Sequence, residues 1–360
     1  MFTEKAINHA EACRYCWMCR HCCPVGLVTG KEGNNARAKG LLVSMDGRNI
    51  PLDADAMKLM YECCLCKACT NDCATAYDPS IFILEARTKA VVDGLVPANV
   101  QTVIDRVLAG NLSESAVDAD LAKKIAALPN KADTVLYLGE LARKDASAMA
   151  NAVIDLLTKA KVEFAVLDEE PATGAQLGEL IGYTAEVKAA AEACMAALAG
   201  AKTIVVLDPT DAAFIKHQWT EWDVLKADVV TATEYVAALV KDGKLAPKKL
   251  GLKAAYHDPE RLARDLDETE AAREIMAAMG VEVAELFLNK KLTKSCGSAV
   301  MAQTHPAIVA EMAAARWSDV AFLDGTSLIT SCPVSYSIMS ADVPAGMEIE
   351  DLFVLLNSAC

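Results

Sequence analysis

The sequence "CRYCWMCRHCCPVG", residues 13–26, contains five cysteines, and "CCLCKACTNDCA", residues 63–74, contains five more. Only four of the 14 cysteines lie elsewhere in the chain. In each stretch, four cysteines follow the spacing Cys-x2-Cys-x2-Cys-x3-Cys, and a proline follows the last of them in the first stretch. In a reducing compartment, closely spaced cysteines are more often metal ligands than disulfides, so both stretches indicate a metal site.

Two matching sets of four thiols fit two [4Fe-4S] clusters. In this spacing three thiolates on a tight loop bind one cluster, and the fourth cysteine of the run binds the other cluster. Cluster I would then use Cys13, Cys16, Cys19 and Cys73. Cluster II would use Cys63, Cys66, Cys69 and Cys23. A zinc site and a disulfide knot are the alternatives, but zinc takes four ligands in two pairs and two quartets fit it less well.

Two further thiols, Cys22 and Cys64, do not fit the spacing. Cys22 competes with Cys23 as the fourth cysteine of the first run, but Pro24 favours Cys23 because the motif has a proline there. Both extra thiols are therefore expected to pack beside the clusters as small apolar side chains.

Composition excludes several classes of function. The formal charge of the 360-residue chain is −14, which argues against a nucleic-acid-binding surface. The stretch "TGKEGNN" lacks the spacing of a phosphate loop or dinucleotide fingerprint, so no flavin or nicotinamide site is evident, and no nucleophile motif is found. Without a signal peptide or an apolar run of about 20 residues, the chain is expected to be cytoplasmic, with no transmembrane segment.

After about residue 131, apolar runs typical of strands alternate with helical patterns. Strands are predicted at "DTVLYLGE", "VEFAVLD", "KTIVVLDP", "KAAYHDP", "VEVAELF" and "DVAFLDG". Strands separated by helices predict parallel sheets with crossover helices, and two rounds of similar length and order predict an internal duplication. Before this region, "NARAKGLLVSM", "DADAMKLMYEC" and "IFILEARTKAVVDG" predict helices.

With its quartets and repeats, the chain resembles the iron–sulfur subunits of glycolate oxidase, anaerobic glycerol-3-phosphate dehydrogenase and L-lactate utilisation systems. It is more distantly similar to the B-type subunit of heterodisulfide reductase. The resemblance implies an α-helical ferredoxin-type domain at 1–100 and a helical linker at 101–130. Two degenerate repeats of a cysteine-rich α/β domain, named CCG after its Cys-Cys-Gly motif, would follow at 131–250 and 251–360.

The resemblance also implies cysteines that this chain has largely lost. In the first repeat, Glu140, the stretch "EEPATG", Asp208 and Asp211 stand at cysteine positions. In the second, Glu260 and Ser335 replace cysteines, and Ser295 precedes the retained Cys296. Cys296 and Cys332 thus mark a vestigial site, with too few thiolates for a third cluster. In "YHDPERLAR" of the same repeat, Asp258 is expected to cap a helix that begins at Pro259.

The favoured interpretation is an electron-transfer subunit with two [4Fe-4S] clusters and no catalytic residues or substrate chemistry of its own. By resemblance, its partners are a flavin-containing dehydrogenase subunit, of the 2-hydroxy acid or glycerol 3-phosphate class, and a further electron carrier. One alternative is a reductase with a substrate or metal site at Cys296 and Cys332, as in heterodisulfide reductase. A scaffold whose repeats bind other proteins of a complex is a second alternative.

Overall fold

The computed structural model describes residues 2–75, 77–222, 225–323 and 327–360. Contacts within the chain divide it into two compact units. The first comprises Met1–Leu112, Gly174–Lys188 and Lys291–Arg316, and the second comprises Ser113–Thr173, Ala189–Lys290 and Trp317–Cys360. The sequence predicts four segments, 1–100, 101–130, 131–250 and 251–360. These were defined by motifs and repeats, whereas the two units are defined by contacts, so the four-segment division remains a prediction.

Helices occur along the whole described chain. In chain order they are α1 Glu4–Glu11, α2 Met18–Cys22, α3 Pro24–Thr29, α4 Ala36–Asp46, α5 Ala54–Tyr61, α6 Ala68–Asn71, α7 Pro79–Asp93, α8 Ala98–Leu108, α9 Ala119–Ala126, α10 Glu140–Lys144, α11 Ser147–Lys159, α12 Ala175–Ile181, α13 Ala185–Ala197, α14 Pro209–Phe214, α15 Thr220–Trp222, α16 Ala232–Lys241, α17 Ala271–Ala278, α18 Ala299–Thr304, α19 Pro306–Ala321, α20 Pro333–Ser340 and α21 Leu352–Ala359. Single 3₁₀ turns at Glu32–Asn34 and Lys290–Leu292, and π turns at Ile215–Trp219 and Arg261–Asp265, supplement them.

The cysteine-rich N-terminal region is helical, as its sequence predicts. Local capping explains where its longer helices begin: Asn35 caps α4, Asp53 caps α5, and Asp78 caps α7 with Pro79 in the first position. Each cap oxygen accepts an N–H that would otherwise have no partner in the first turn. Helix α7 ends at Gly94, whose φ of 67° a side chain would disfavour.

The strands of the described chain lie in the second unit and form two parallel sheets. They are β1 Thr134–Tyr137, β2 Thr203–Val206, β3 Asp228–Thr231, β4 Lys253–Tyr256, β5 Glu282–Ala284, β6 Ser327–Thr330 and β7 Glu348–Asp351. The sheet orders are β1-β2-β3 and β5-β4-β6-β7. Strand residues such as Leu136, Val205, Tyr256 and Ile329 share one buried core with helices α11, α16, α17 and α21.

The two sheets are consistent with the predicted duplication. A parallel bridge between Val135 and Ala165 adds the "VEFAVLD" segment beside β1, so the first sheet has the same order as the second. The last strand of each sheet also leads directly into a helix. Thr231 at the end of β3 caps α16, and Asp351 at the end of β7 caps α21.

Several strand predictions differ from the structure. The predicted strand "VEFAVLD" is reduced to the single bridge at Ala165. The predicted strand "DVAFLDG" is wrong at residues 319–321, because α19 extends through Ala321 with Val320 buried; residues 324–325 lie outside the described residues. Strands β3, β6 and β7 were not predicted; β3 and β7 are only partly buried, whereas β6 is buried throughout and was missed because the strand was placed a few residues too early, at "DVAFLDG".

Within the described residues, no helix has an apolar run long enough to cross a lipid bilayer.

Candidate metal centre

The two cysteine loops share one uncommon backbone path. Tyr15 and Trp17 in the first loop have φ of 56° and 69°, and Leu65 and Lys67 in the second have 52° and 56°. Each pair occupies the same two positions relative to the first two cysteines of its run. Left-handed conformations cost non-glycine residues roughly 1–2 kcal/mol each, so the same unfavourable geometry is maintained in both loops.

The loops also share hydrogen bonds to sulfur. The N–H of Tyr15 donates to Cys13 Sγ at 3.4 Å, and the N–H of Leu65 donates to Cys63 Sγ at 3.4 Å. Short helices, α2 and α6, follow the loops at equivalent places. Backbone N–H groups directed at cysteine sulfur are among the contacts by which proteins tune iron–sulfur centres.

The structure groups the first set of thiols at the surface. Burial raises the pKa of the Cys19 thiol, and its neighbours Cys13, Cys16 and Cys73 raise it further. These four residues are the set that crossed ligation predicts for cluster I. Cys16 is exposed, and so are the aromatic side chains of Tyr15 and Trp17 beside it.

The second set lies deeper. Burial holds the pKa of the Cys69 thiol well above its usual value, and Cys66, Cys63, Cys23 and Cys22 add to the rise. Cys69 with Cys66, Cys63 and Cys23 is the set predicted for cluster II, and Cys22 is the extra thiol of the first run. A cavity of about 450 Å³, including its open mouth, is lined by all four.

The walls of this cavity suit a cofactor that needs protection from water. Besides the thiols, it is lined by apolar side chains that include Pro24, Val25, Ala68 and Ile83. Inward-facing thiols in an apolar, recessed space match the donor set and surroundings that an iron–sulfur cluster requires. The residues present therefore fit the cofactor that the spacing predicts, and the assignment of individual ligands stays a prediction.

The fourth cysteine of each run is held differently. Cys23 precedes α3 and its Sγ accepts the N–H of Gly26 at 3.4 Å, so it starts a helix as expected. Burial raises the pKa of the Cys23 thiol to about 12, although Lys39 lowers it. Burial also acts on Cys73, but hydrogen bonds from Thr75 bring the pKa of that thiol below its usual value.

One buried tyrosine lies near thiols of both quartets. Burial raises the pKa of Tyr77, and Cys13 of the first set and Cys69 of the second raise it further. Its hydroxyl donates to the carbonyl of Ala36 at 2.7 Å. Helix α4 has Gly40 at this point, where a Cβ would overlap the tyrosine hydroxyl. The tyrosine is thus held against α4, close enough to thiols of both sets for them to influence its hydroxyl.

The two extra thiols lie beside the quartets. Cys22 donates to the carbonyl of Cys19 at 3.5 Å within its own helical turn. Burial and the nearby Asp72 carboxylate raise its pKa. Cys64 is buried, lines the cavity of the second quartet, and donates to Ser295 Oγ at 3.8 Å. Packing beside the thiol sets was the prediction for both.

Two buried cations near the second loop were not predicted. The guanidinium of Arg87 donates to the carbonyls of Met60 and Cys63, at 3.0 and 2.6 Å, and lies over the ring of Tyr61. Lys39 lines the cavity itself. A sequence signal exists for Lys39: it occupies the face of α4 that also buries Ala36, Gly40 and Val43.

In the second unit, carboxylates occupy the strand ends of the first repeat. Glu170 of "EEPATG" accepts the N–H groups of Leu138 and Gly139, both at 2.9 Å, and forms a buried ion pair with Arg143 at 3.1 Å. Asp211 of "LDPTD" accepts the hydroxyl of Thr173. Burial raises the pKa of Glu170 despite these partners.

The absence of a side chain at Gly139 allows the Asp211 carboxylate to approach the backbone at the end of β1. The φ of Gly139 is 83°, and a Cβ there would come within 2.9 Å of the Asp211 carboxylate. Glu140, which the resemblance places at a lost cysteine, instead accepts the N–H of Ser113 at 3.0 Å. A hydrogen-bonded network therefore fills the position at which the resemblance implies thiols.

The second repeat keeps one of its thiols in this unit. Cys332 precedes α20, and burial together with the carboxylates of Asp208 and Glu260 holds the pKa of its thiol well above the usual value. Asp258, expected as a helix cap, instead accepts two hydrogen bonds from the Arg273 guanidinium at 2.7 and 2.9 Å. The other retained cysteine, Cys296, is buried in the first unit.

No group of three or more His, Cys, Asp or Glu side chains in the described part of the chain is arranged to hold a single metal ion. A four-iron cluster is wider than one ion, and its thiolates stand correspondingly farther apart.

Comparison with known proteins identifies distant relatives, although no protein-family model matches. A "Probable membrane-anchored ferredoxin" of Chromohalobacter salexigens is 24% identical over 414 residues, which cover 99% of this chain and 61% of that protein. The D-type subunit of the dihydromethanophenazine:CoB–CoM heterodisulfide reductase of Methanosarcina acetivorans is 23% identical, with 99% and 95% covered. A "Probable iron-sulfur-binding oxidoreductase" of Bacillus subtilis is 23% identical, with 66% and 37% covered. The chain is a distant homologue of these iron–sulfur proteins.

Iron–sulfur binding is supported by this homology, because two of these relatives are named a ferredoxin and an iron-sulfur-binding oxidoreductase. The heterodisulfide reductase relative is the D-type subunit, whereas the sequence suggested a likeness to the B-type subunit. That relative matches over nearly its whole length, so the likeness includes the repeats as well as the cysteine loops.

Proposed function

We propose that the chain is an electron-transfer subunit that holds two [4Fe-4S] clusters and passes single electrons between a flavin-containing dehydrogenase and a further carrier. Cluster I would be held by Cys13, Cys16, Cys19 and Cys73. Cluster II would be held by Cys63, Cys66, Cys69 and Cys23. The observation that supports the proposal is that each group of neighbouring thiols contains members of both runs: Cys73 lies near Cys19, and Cys23, with Cys22, lies near Cys69.

When bound, the clusters would supply one-electron redox chemistry. The residues of the chain would bind the clusters, shield them from water and adjust their reduction potentials. The apolar walls around the second quartet would exclude water, and the N–H groups of Tyr15 and Leu65 would donate to ligand sulfurs. The first quartet, which includes the exposed Cys16, would suit exchange with a partner, and the second, which includes the buried Cys66, would suit transfer within the complex.

The iron and sulfide content of anaerobically purified protein tests this proposal. About eight irons and eight sulfides per chain are expected, which corresponds to two four-iron clusters. About four irons, or zinc in place of iron, would contradict it. Identification of proteins that copurify with the chain under mild conditions would test the partner, and a flavoprotein is the expected result.

A reductase is the second candidate, favoured by the likeness to a heterodisulfide reductase subunit over nearly its whole length. Its reactive site would involve Cys296 or Cys332. Burial, and after it the carboxylates of Asp208 and Glu260, disfavours the thiolate form of Cys332, so the relay is the better-supported function.

A further inference from the structure

Lys39 is a buried cation. Its side chain lies on α4, and the residue is 1% exposed. The ammonium donates to the carbonyl of Asn34 at 2.6 Å and to the carbonyl of Glu62 at 3.2 Å. Glu62 accepts through its backbone oxygen and not through its carboxylate. Over the described residues, no carboxylate forms an ion pair with the Lys39 ammonium. Within that part of the chain, two neutral acceptors are thus the only partners of a full positive charge.

Such an arrangement is unfavourable without a counter-charge. A buried charge loses its hydration, and neutral hydrogen-bond acceptors offset only part of that loss. An ammonium has three N–H donors, of which two are used here. A buried lysine of this kind is retained at a cost in stability unless an anion is bound near it.

The position of Lys39 indicates where the anion would be. Its side chain lines the same cavity as the four thiols of the second quartet. The carbonyl of Asn34 that holds its ammonium also accepts from Cys23 Sγ at 3.6 Å, and Glu62 directly precedes Cys63. The ammonium is therefore fixed to the two segments that carry opposite members of the quartet.

We propose that Lys39 provides the counter-charge of the second metal site and raises the reduction potential of the cluster held there. This inference rests on the proposed function. Reduction adds one negative charge to a cluster that four thiolates already make negative, and a nearby fixed cation favours the more negative state. Burial alone acts in the opposite direction, because a low dielectric disfavours added charge.

The cations near the first quartet are held differently. Arg37 lies 3.4 Å from the ring centroid of Trp17, and its guanidinium is paired with Glu32 at 2.9 Å. Glu32 also pairs with Arg20, and both of those side chains are open to solvent. Paired and solvated charges have a weak net effect on a nearby site. The effect of Lys39 should therefore be confined to the second cluster.

The test compares Lys39→Met, Lys39→Arg and the wild-type protein, each purified anaerobically with its clusters and titrated with EPR detection. Lys58→Met is the control, because Lys58 is an exposed lysine on the helix that precedes the second loop. In Lys39→Met the ratio of reduced to oxidised cluster II at a fixed potential should fall at least tenfold, which is ~59 mV for a one-electron couple. Cluster I should not shift in any variant, and Lys39→Arg and Lys58→Met should titrate like the wild type.

The outcome depends on whether the methionine and arginine variants differ. Lys39→Met could lose cluster II while Lys39→Arg keeps it. The iron content of the two variants would then by itself support the need for a positive charge at this position. If the two variants behave alike, whether both titrate normally or both lose the cluster, the role of Lys39 is overturned. A wild-type protein without iron–sulfur clusters would instead overturn the proposed function, so the two failures are distinguishable.

Discussion

The cysteine loops of the first unit and the strand ends of the second unit differ in how their buried charges are balanced. The loops carry cysteines, and the strand ends carry carboxylates where the resemblance implies cysteines. Around the second loop, four thiols line an apolar cavity, and Lys39 beside them has no carboxylate partner among the described residues. At the end of β1, Glu170 is fully engaged by two backbone N–H groups and by Arg143. The first arrangement leaves Lys39 without a counter-charge among the described residues, and the second balances the charge of its carboxylate with an arginine.

The resemblance implies cysteines at this strand end, and the difference indicates how such a position could become a structural one. Buried N–H groups at a strand end need acceptors, and a cluster with its thiolates could provide them. In this chain a carboxylate accepts them and an arginine balances its charge. The second unit can therefore retain its fold after the loss of the thiols that the resemblance implies.

Single cysteine substitutions in the first unit should have the largest effect. Cys19→Ser should remove about half of the iron and leave the buried cluster. Cys23→Ser should also remove about half, but it should remove the buried cluster, because Cys23 lies among the thiols of the second run. Iron analysis and EPR spectra of both variants provide the measurement.

Cys22→Ser is the matched control for this experiment, since Cys22 is adjacent to Cys23 and its thiol donates to a carbonyl of its own helical turn. It should keep both clusters. Loss of iron in Cys22→Ser with normal iron in Cys23→Ser would show that the choice of the fourth ligand is wrong.

Glu170→Ala should have the next largest effect, on stability rather than on iron. The substitution leaves the buried guanidinium of Arg143 without its carboxylate and removes the acceptor of two N–H groups. A loss of about 3 kcal/mol is expected, and it should appear as a lower thermal midpoint. The exposed Glu163 offers a control, because Glu163→Ala should leave the midpoint nearly unchanged. If Glu170→Ala lost iron while folded, the strand end would not be purely structural.

The second unit should also respond to pH through a buried carboxyl. Burial raises the pKa of Glu268 to about 7, although Thr231 donates to it at 2.6 Å. A raised pKa in the folded state gives stability below about pH 4.5 that is lost as the pH rises to about 7. Glu268→Gln should therefore match the wild type at pH 4 and be more stable at pH 8 by roughly 2–4 kcal/mol.

Thermal unfolding of the two proteins at both pH values measures this, with Glu274→Gln as the exposed control. A Glu268→Gln variant that is less stable than the wild type at pH 8 would contradict the burial argument.

The sequence predicted local features better than those that depend on distant contacts. The cysteine spacing and the helices α4, α5 and α7 were predictable, since caps and periodicity lie within short segments. The role of Glu170 was not, because its partners Leu138 and Gly139 are about thirty residues away. Strand β7 escaped prediction because its pattern is short and half-buried. The position of the Lys39 ammonium depends on carbonyls from two separate segments, which the sequence does not bring together. Its burial was indicated only by its place on the face of α4 that carries Ala36, Gly40 and Val43.

The smallest effect on redox function is expected for the double substitution Cys296→Ser with Cys332→Ser. Two thiolates are too few for a four-iron cluster, and the carboxylates near Cys332 are harder ligands that suit iron–sulfur cores less well. Iron content and electron transfer should therefore remain near wild-type values. Both cysteines are buried, so the new hydroxyls need partners, and a loss of roughly 1–3 kcal/mol in stability is expected. If a folded double variant lost iron or turnover with its partner, these cysteines would form a working site, and the reductase would replace the relay as the function.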